Sequence, residues 1–261
     1  MKKGFTLVEL SIVLVIIGML VGGILVGQSL IDSARLQKAV RSIQQYQSAV
    51  LLFQSKFKSL PGDSKLFPQQ GNNDGQILGS DNENLYDLEI GNFWAQMSQG
   101  QMLKEQYTGT GATTGDFTIP ANTMPKLDYG DKAQIVAGYS YFEGFAEPLN
   151  NENVFWIVDP PSQSRFVEGQ GNCGYGIAAN DECDYPFNPV KAAAFDGKID
   201  DGKPNSGNMR AAAKADFGTP PAGTSDACIT NYTPTAIYLV TESKDTCALM
   251  IRMFEKQFSQ I

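Results

Sequence analysis

The chain has 261 residues, of which 42% are apolar and 18% charged, a composition that argues against disorder along its whole length. It contains no histidine, which excludes Ser-His-Asp and Cys-His catalytic arrangements and every zinc site that uses histidine. The formal net charge is −8, and because an acidic chain repels phosphate backbones, nucleic acid is disfavoured as a partner.

An uncharged apolar stretch, residues 10–31, lies between Glu9 and Asp32. As a helix it would rise about 33 Å, enough to cross the apolar core of a bilayer. The stretch is longer than the apolar region of an ordinary signal peptide, and no small-residue cleavage site follows it. The small residue that could mark a processing site is Gly4, and cleavage there would leave the apolar stretch on the mature protein.

Glu9 lies about one helical turn into the longer apolar segment that begins at Phe5, where a carboxylate is costly. One interpretation is that Glu9 complements the dipole at the helix N-terminus. The other is that it pairs with a positive charge from another subunit. The residues alone leave both interpretations open.

Residues 3–10 (KGFTLVEL), followed by SIVLVIIGML, resemble the N-terminus of type IV prepilins and type II secretion pseudopilins, and the resemblance covers residues 1–45. It implies that a membrane prepilin peptidase cuts between Gly4 and Phe5 and methylates the new Phe5 amine. It also implies that Glu9 neutralises the N-terminal amine of a neighbouring subunit during assembly. Many family members have a proline part-way along the apolar helix, where this chain has Gly22 and Gly23.

The helix is predicted to continue beyond the apolar stretch. Apolar or half-polar positions with helical spacing are Leu36, Ala39, Val40, Ile43, Tyr46 or Gln47, Val50, and Phe53 or Gln54. A turn signal at Pro61 and Gly62 ends the pattern. We therefore expect a leader at 1–4, a long helix at 5–58 with a transmembrane part at 10–31, and a globular head at 59–261.

In the head, periodicity and capping signals predict further elements: a helix over 82–98, strands over 134–143 and 153–158, a short helix over 189–200 and a C-terminal hairpin of 236–241 with 247–254. Asn188 is the predicted N-cap of the short helix. The oxygen-rich segment 71–77 is interpreted as a turn, with an ion as the alternative. With the resemblance, these elements predict an α+β fold in which a long helix packs on an antiparallel β-rich head.

An acidic string, DGKIDDGKPN, spans residues 196–205 and contains the spacing GxxxxGK. Nucleotide binding is rejected, because Pro204 stands where Ser or Thr is required and the aspartates would repel phosphate. The favoured interpretation is a helix end followed by a tight turn. The alternative is a cation site, with calcium as the ion, formed by Asp196, Asp200, Asp201 and Asn205. Some heads of the resembling family bind calcium; no other cofactor is expected.

The four cysteines allow three disulfide pairings. We favour Cys173 with Cys183 and Cys228 with Cys247, because these pairs close local loops. A metal site is disfavoured, since there is no C-x-x-C motif and no histidine. Disulfides require an oxidising compartment, which agrees with a head beyond the inner membrane. In type IV pilins a disulfide ties down the C-terminal region, a role that Cys228 and Cys247 would fill by resemblance.

The resemblance implies a structural subunit of a pilus-like filament, a minor pilin or a pseudopilin, rather than an enzyme. Its expected partners are the prepilin peptidase, other pilin or pseudopilin subunits, the inner-membrane assembly platform and, before assembly, membrane lipid. It would lie in the bacterial inner membrane with a periplasmic head and then enter the filament. The alternative is a tip or minor subunit whose head binds a surface or a secreted substrate.

Overall fold

The computed structural model describes residues 6–68, 71–78, 88–109, 122–130, 132–140, 152–158, 185–213, 228–230, 235–241 and 243–254. Within these ranges the helices are α1 (Leu7–Phe57), α2 (Leu88–Gln99) and α3 (Pro189–Ile199). The strands are β1 (Gln134–Ser140), β2 (Glu152–Val158), β3 (Met209–Ala213) and β4 (Cys247–Arg252). A long apolar helix thus precedes a small antiparallel sheet, and the predicted α+β class is confirmed.

The two halves of α1 have different surroundings. Its buried side chains all belong to the second half: Leu36, Ala39, Val40, Ile43, Ala49, Val50 and Phe53. The predicted periodicity is followed closely, with Tyr46 and Gln47 half-buried and Gln54 exposed. The helix ends at Phe57, and the cap residue Lys58 has a left-handed backbone (φ 57°) and donates its N–H to the Gln54 carbonyl at 2.9 Å.

The sheet has four strands in the order β1-β2-β4-β3, and all neighbouring pairs are antiparallel. Strand β4 is buried along its whole length, since it lies between β2 and β3. The predicted C-terminal hairpin is therefore wrong: residues 247–252 pair with β2 and β3, while Tyr238 of the other segment forms an isolated bridge with Ile229.

The core lies between α1, α2 and the sheet. Trp94 of α2 is central to it: its ring contacts Tyr46 of α1 edge-on at 5.0 Å and stacks on Phe155 of β2 at 5.9 Å between centroids. Its indole N–H donates to the Ile135 carbonyl at 3.0 Å, so its polar atom is also satisfied. These contacts tie the second half of α1 to the head.

The other predicted elements are found with altered ends. Helix α2 ends at Gln99, and the predicted start at residue 82 lies outside the described residues. The strand predicted over 134–143 is described to Ser140. Helix α3 begins as predicted: the side chain of Asn188 accepts a hydrogen bond from the Lys191 N–H at 2.9 Å.

Candidate functional site

The start of α1 is held by a capping box between Thr6 and Glu9. The Thr6 hydroxyl accepts a hydrogen bond from the Glu9 backbone N–H at 3.2 Å. Glu9 Oε2 accepts in turn from the Thr6 backbone N–H and from the Thr6 hydroxyl, each at 2.8 Å. The carboxylate therefore satisfies the helix N-terminus of its own chain. Gly4 and Phe5, the predicted processing residues, lie outside the described residues.

The first half of α1 carries a continuous apolar surface that nothing in the chain's described part covers. Its large apolar side chains between Leu7 and Ile31 are all exposed, from 87% for Leu7 to 50% for Ile17. Among the described residues, α1 is the one helix that is long and apolar enough to cross a membrane. Such a surface is unfavourable in water, so it requires lipid or another protein around it.

The predicted cation residues are brought together at the end of α3. Carboxylate oxygens of Asp196, Asp200 and Asp201 lie within 4.8 Å of one another. Asp196 is fully buried, Asp200 half-buried and Asp201 exposed, so the cluster opens toward solvent on one side. Asn205 lies in the same loop and is 3% exposed.

Hydrogen bonds from the loop orient this cluster. Asp200 Oδ2 accepts from the N–H groups of Asn208 and Met209. Asp201 accepts from the Lys203 N–H at 2.9 Å and from the Ser206 hydroxyl. These hydrogen bonds hold the carboxylates of Asp200 and Asp201 in fixed orientations.

Asp196 receives a hydrogen bond from the Tyr238 hydroxyl, at 2.8 Å to Oδ2. Burial raises the pKa of Asp196 to about 7, an effect that Tyr238 and the Gly202 amide oppose and that Asp201 and Asp200 reinforce. Burial of the charged form therefore outweighs the stabilisation that Tyr238 and the Gly202 amide give this carboxylate.

A second acidic cluster, which the sequence interpretation missed, joins Asp63, Asp74 and Glu89. Both oxygens of Asp63 accept backbone N–H groups of the 71–78 loop, from Asp74 at 3.1 Å and Gly75 at 2.9 Å. Both oxygens of Glu89 do the same, from Asn72 at 2.8 Å and Leu78 at 3.0 Å. The buried pair therefore anchors this loop, which agrees with the predicted turn.

This cluster has a weak signal in the sequence. Gly62 comes just before Asp63 and has φ +85°, and a Cβ on it would lie 2.3 Å from the Glu89 carbonyl oxygen. The turn at Pro61 and Gly62 could therefore have indicated close backbone contact. It could not have indicated Glu89 as the partner, because that residue lies on another element.

Cys228 and Cys247 form a disulfide that joins residues 228–230 to the start of β4. Both cysteines are fully buried, and Leu239 and Cys228 share a backbone hydrogen bond of 2.9 Å beside the bond. The other predicted pair, Cys173 and Cys183, lies outside the described residues. The disulfide fixes the segment that carries Tyr238 and so supports the contact with Asp196.

An open pocket of about 460 Å³ lies where α1 meets α3. Asp32 of α1, Lys191 of α3 and Tyr129 contribute to its wall. Burial raises the pKa of Tyr129 to about 12, with a smaller contribution from Asp32. The pocket begins at the first charged residue after the uncharged stretch of α1.

The family model described as the prokaryotic N-terminal methylation motif matches residues 1–25. This motif is the signature of type IV prepilins and pseudopilins, so over these residues the chain is similar to the processed subunits of that kind. The motif and the apolar helix fit a membrane-anchored pilin, and proteins with this motif are structural rather than enzymatic. No curated protein and no solved structure matches the chain.

Proposed function

We propose that the chain is a structural subunit of a type IV pilus-like filament, made as a prepilin, cleaved after Gly4 and methylated at Phe5. The observation that carries the proposal is the division of α1. Within one continuous helix, the second half packs into the core of the head, whereas the apolar side chains of the first half are exposed. A helix divided in this way can hold the head in a membrane and later join it to other subunits.

Before assembly, residues 10–31 span the inner membrane and residues 59–261 form a periplasmic head. The assembly platform then transfers the subunit into the filament, where the exposed apolar first half of α1 packs against the first half of α1 in other subunits. The GxxxG spacings Gly18/Gly22 and Gly23/Gly27 support close packing, because a Cβ on any of these glycines would meet nothing of its own chain within 4 Å.

Glu9 sets the register of this packing. Cleavage after Gly4 creates an ammonium group on the residue next to Thr6, close in sequence to the Glu9 carboxylate. Each charge alone is costly in an apolar filament core, and pairing Glu9 with the amine of a neighbouring subunit removes most of that cost.

The capping box makes it possible to separate the two roles of Glu9. Glu9→Gln keeps a side chain that suits a capping box but removes the charge. Thr6→Ala removes the N-cap hydroxyl, at a cost of about 1 kcal/mol, but keeps the charge. We expect Glu9→Gln to be inserted and processed but largely missing from the filament fraction, while Thr6→Ala enters it.

The measurement is the ratio of filament to membrane protein, by immunoblot, in cells with the native assembly machinery. Normal entry of Glu9→Gln would contradict the charge pairing. Exclusion of both variants to the same degree would show that assembly depends on the helix start rather than on the charge.

The large head favours a minor pilin or pseudopilin over a bulk subunit. The pocket between α1 and α3 supports a second candidate function, a tip subunit whose head binds a surface or a secreted substrate. Abundance separates them: a bulk subunit dominates isolated filaments, whereas a tip subunit is scarce there and its deletion reduces adhesion or secretion.

A further inference from the structure

We propose that the pocket between α1 and α3 holds the headgroup of an aminophospholipid, with Lys191 bound to the phosphate and Asp32 bound to the primary ammonium. The inference rests on the proposed function, because it requires residues 10–31 to span the membrane. It concerns the state of the chain before assembly.

The first observation is the position of the pocket along α1. Asp32, in the pocket wall, is the first residue after the uncharged stretch, so its Cα lies about 1.5 Å beyond that of Ile31 along the helix. Leu36, the first buried residue of α1, follows about 6 Å further on. The headgroup layer on each side of a bilayer is about 5–8 Å thick. The α1 wall of the pocket therefore lies at the depth of the headgroups.

The second observation is a pair of opposite charges in the pocket wall. Asp32 is exposed and Lys191 is half-buried, and within the described part of the chain neither side chain forms an ion pair. Tyr129 connects the two residues. Its hydroxyl donates to the Lys191 backbone carbonyl at 3.3 Å, and its pKa is raised first by burial and then by the Asp32 carboxylate. A ligand that carries both charges would find a partner for each of them in this pocket.

The third observation is an apolar rim. In the described part of the head, the large apolar side chains with more than half of their surface exposed are Leu66, Val190, Ile237 and Val240. Val190 and Val240 belong to the pocket wall, and Ile237 precedes Val240 by three residues. Exposed apolar side chains bordered by polar ones mark surfaces that contact a membrane or a protein. At the depth of the headgroups, the membrane is the neighbour.

These groups favour an aminophospholipid over other membrane lipids. A primary ammonium can donate hydrogen bonds to the Asp32 carboxylate, whereas the quaternary ammonium of phosphatidylcholine has no N–H. Phosphatidylglycerol has no positive charge, so its headgroup would leave Asp32 without a partner. The Lys191 ammonium and the positive N-terminal end of α3 both favour a phosphate. The pocket volume of about 460 Å³ is within the range of small-molecule sites, about 300–1,000 Å³.

The test is native mass spectrometry of the full chain, reconstituted into nanodiscs with equal amounts of phosphatidylethanolamine, phosphatidylcholine and phosphatidylglycerol. We expect phosphatidylethanolamine to stay bound on release from the disc, enriched about tenfold over each of the other lipids, which is the effect of one hydrogen bond to a charged group. Lys191→Gln should lower its retention about tenfold, and Asp32→Asn should remove the preference over phosphatidylcholine. The matched control is Lys198→Gln, because Lys198 is exposed on the same helix about 10 Å further along, and this variant should behave as the unmodified chain.

The outcomes separate the pocket from the membrane span. Incorporation into discs without lipid preference, or equal retention in Lys191→Gln and Lys198→Gln, would overturn the pocket assignment and leave the proposed function standing. Failure of the chain to enter discs of any composition would contradict the span at residues 10–31 and overturn the proposed function together with this inference. Soluble glycerophosphoethanolamine has the same charged groups but no acyl chains, and at millimolar concentration it should not displace the lipid. Displacement would place the ligand in solution and overturn the membrane source.

Discussion

The second half of α1 should be as important for the stability of the head as any core strand. Phe53 tests this directly, because its side chain is 0% exposed and its ring packs against Phe57 at 4.6 Å and Phe67 at 5.4 Å. Replacing a buried phenylalanine by alanine costs about 3–5 kcal/mol, from lost burial and from the cavity left behind. Phe53→Ala should therefore remove a large part of the free energy of unfolding of a typical domain.

The matched control is the neighbouring residue Leu52, which lies on a different face of the helix and is 58% exposed. Leu52→Ala should change the free energy of unfolding by no more than about 0.5 kcal/mol. The assay is urea unfolding of the full chain in detergent, followed by the fluorescence of its two tryptophans, Trp94, which lies against α1, and Trp156 of β2. Equal losses in the two variants would refute the view that α1 completes the core of the head.

Two further predictions concern the head. Replacing Cys228 and Cys247 together by serine should lower the free energy of unfolding by about 3 kcal/mol, as expected for a disulfide that closes a loop of this length. The measurement is the urea midpoint of the variant and of the unmodified chain with and without reductant. An unchanged midpoint would contradict the prediction. The pKa of Glu89 is raised, chiefly by burial, so the folded state takes up its proton first as pH falls toward the ordinary value of 4.5. The contribution of Glu89 to the free energy of unfolding therefore increases on acidification from pH 7 and is lost as pH rises. Glu89→Gln should remove this part of the pH dependence of stability. Urea midpoints that change with pH in the same way in the variant and in the unmodified chain would contradict the reasoning.

Local signals were enough to predict the helices. The spacing of Leu36, Val40 and Ile43 marks the face of α1 that the head covers, and Asn188 with Pro189 marks the start of α3. Each of these signals lies within a few residues of the structure that it determines. For that reason it can be interpreted without knowledge of the rest of the fold.

The sheet could be predicted only in part. Strand β3 has the sequence MRAAA, in which alanine favours a helix, and it is a strand because it pairs with β4. The predicted hairpin failed for the same reason, since neighbouring segments in sequence need not pair. The acidic loop was predicted from closely spaced aspartates, whereas the Asp63 and Glu89 pair depends on packing between a turn and a separate helix.

The intact mass and N-terminal sequence of the membrane-extracted protein, with and without the prepilin peptidase, test the proposed processing. The account predicts a chain that begins at a methylated Phe5 when the peptidase is present and at Met1 when it is absent. A chain that still begins at Met1 in cells with an active peptidase would contradict it. Residues 10–31 would then be a plain membrane anchor, and Glu9 would only cap its own helix.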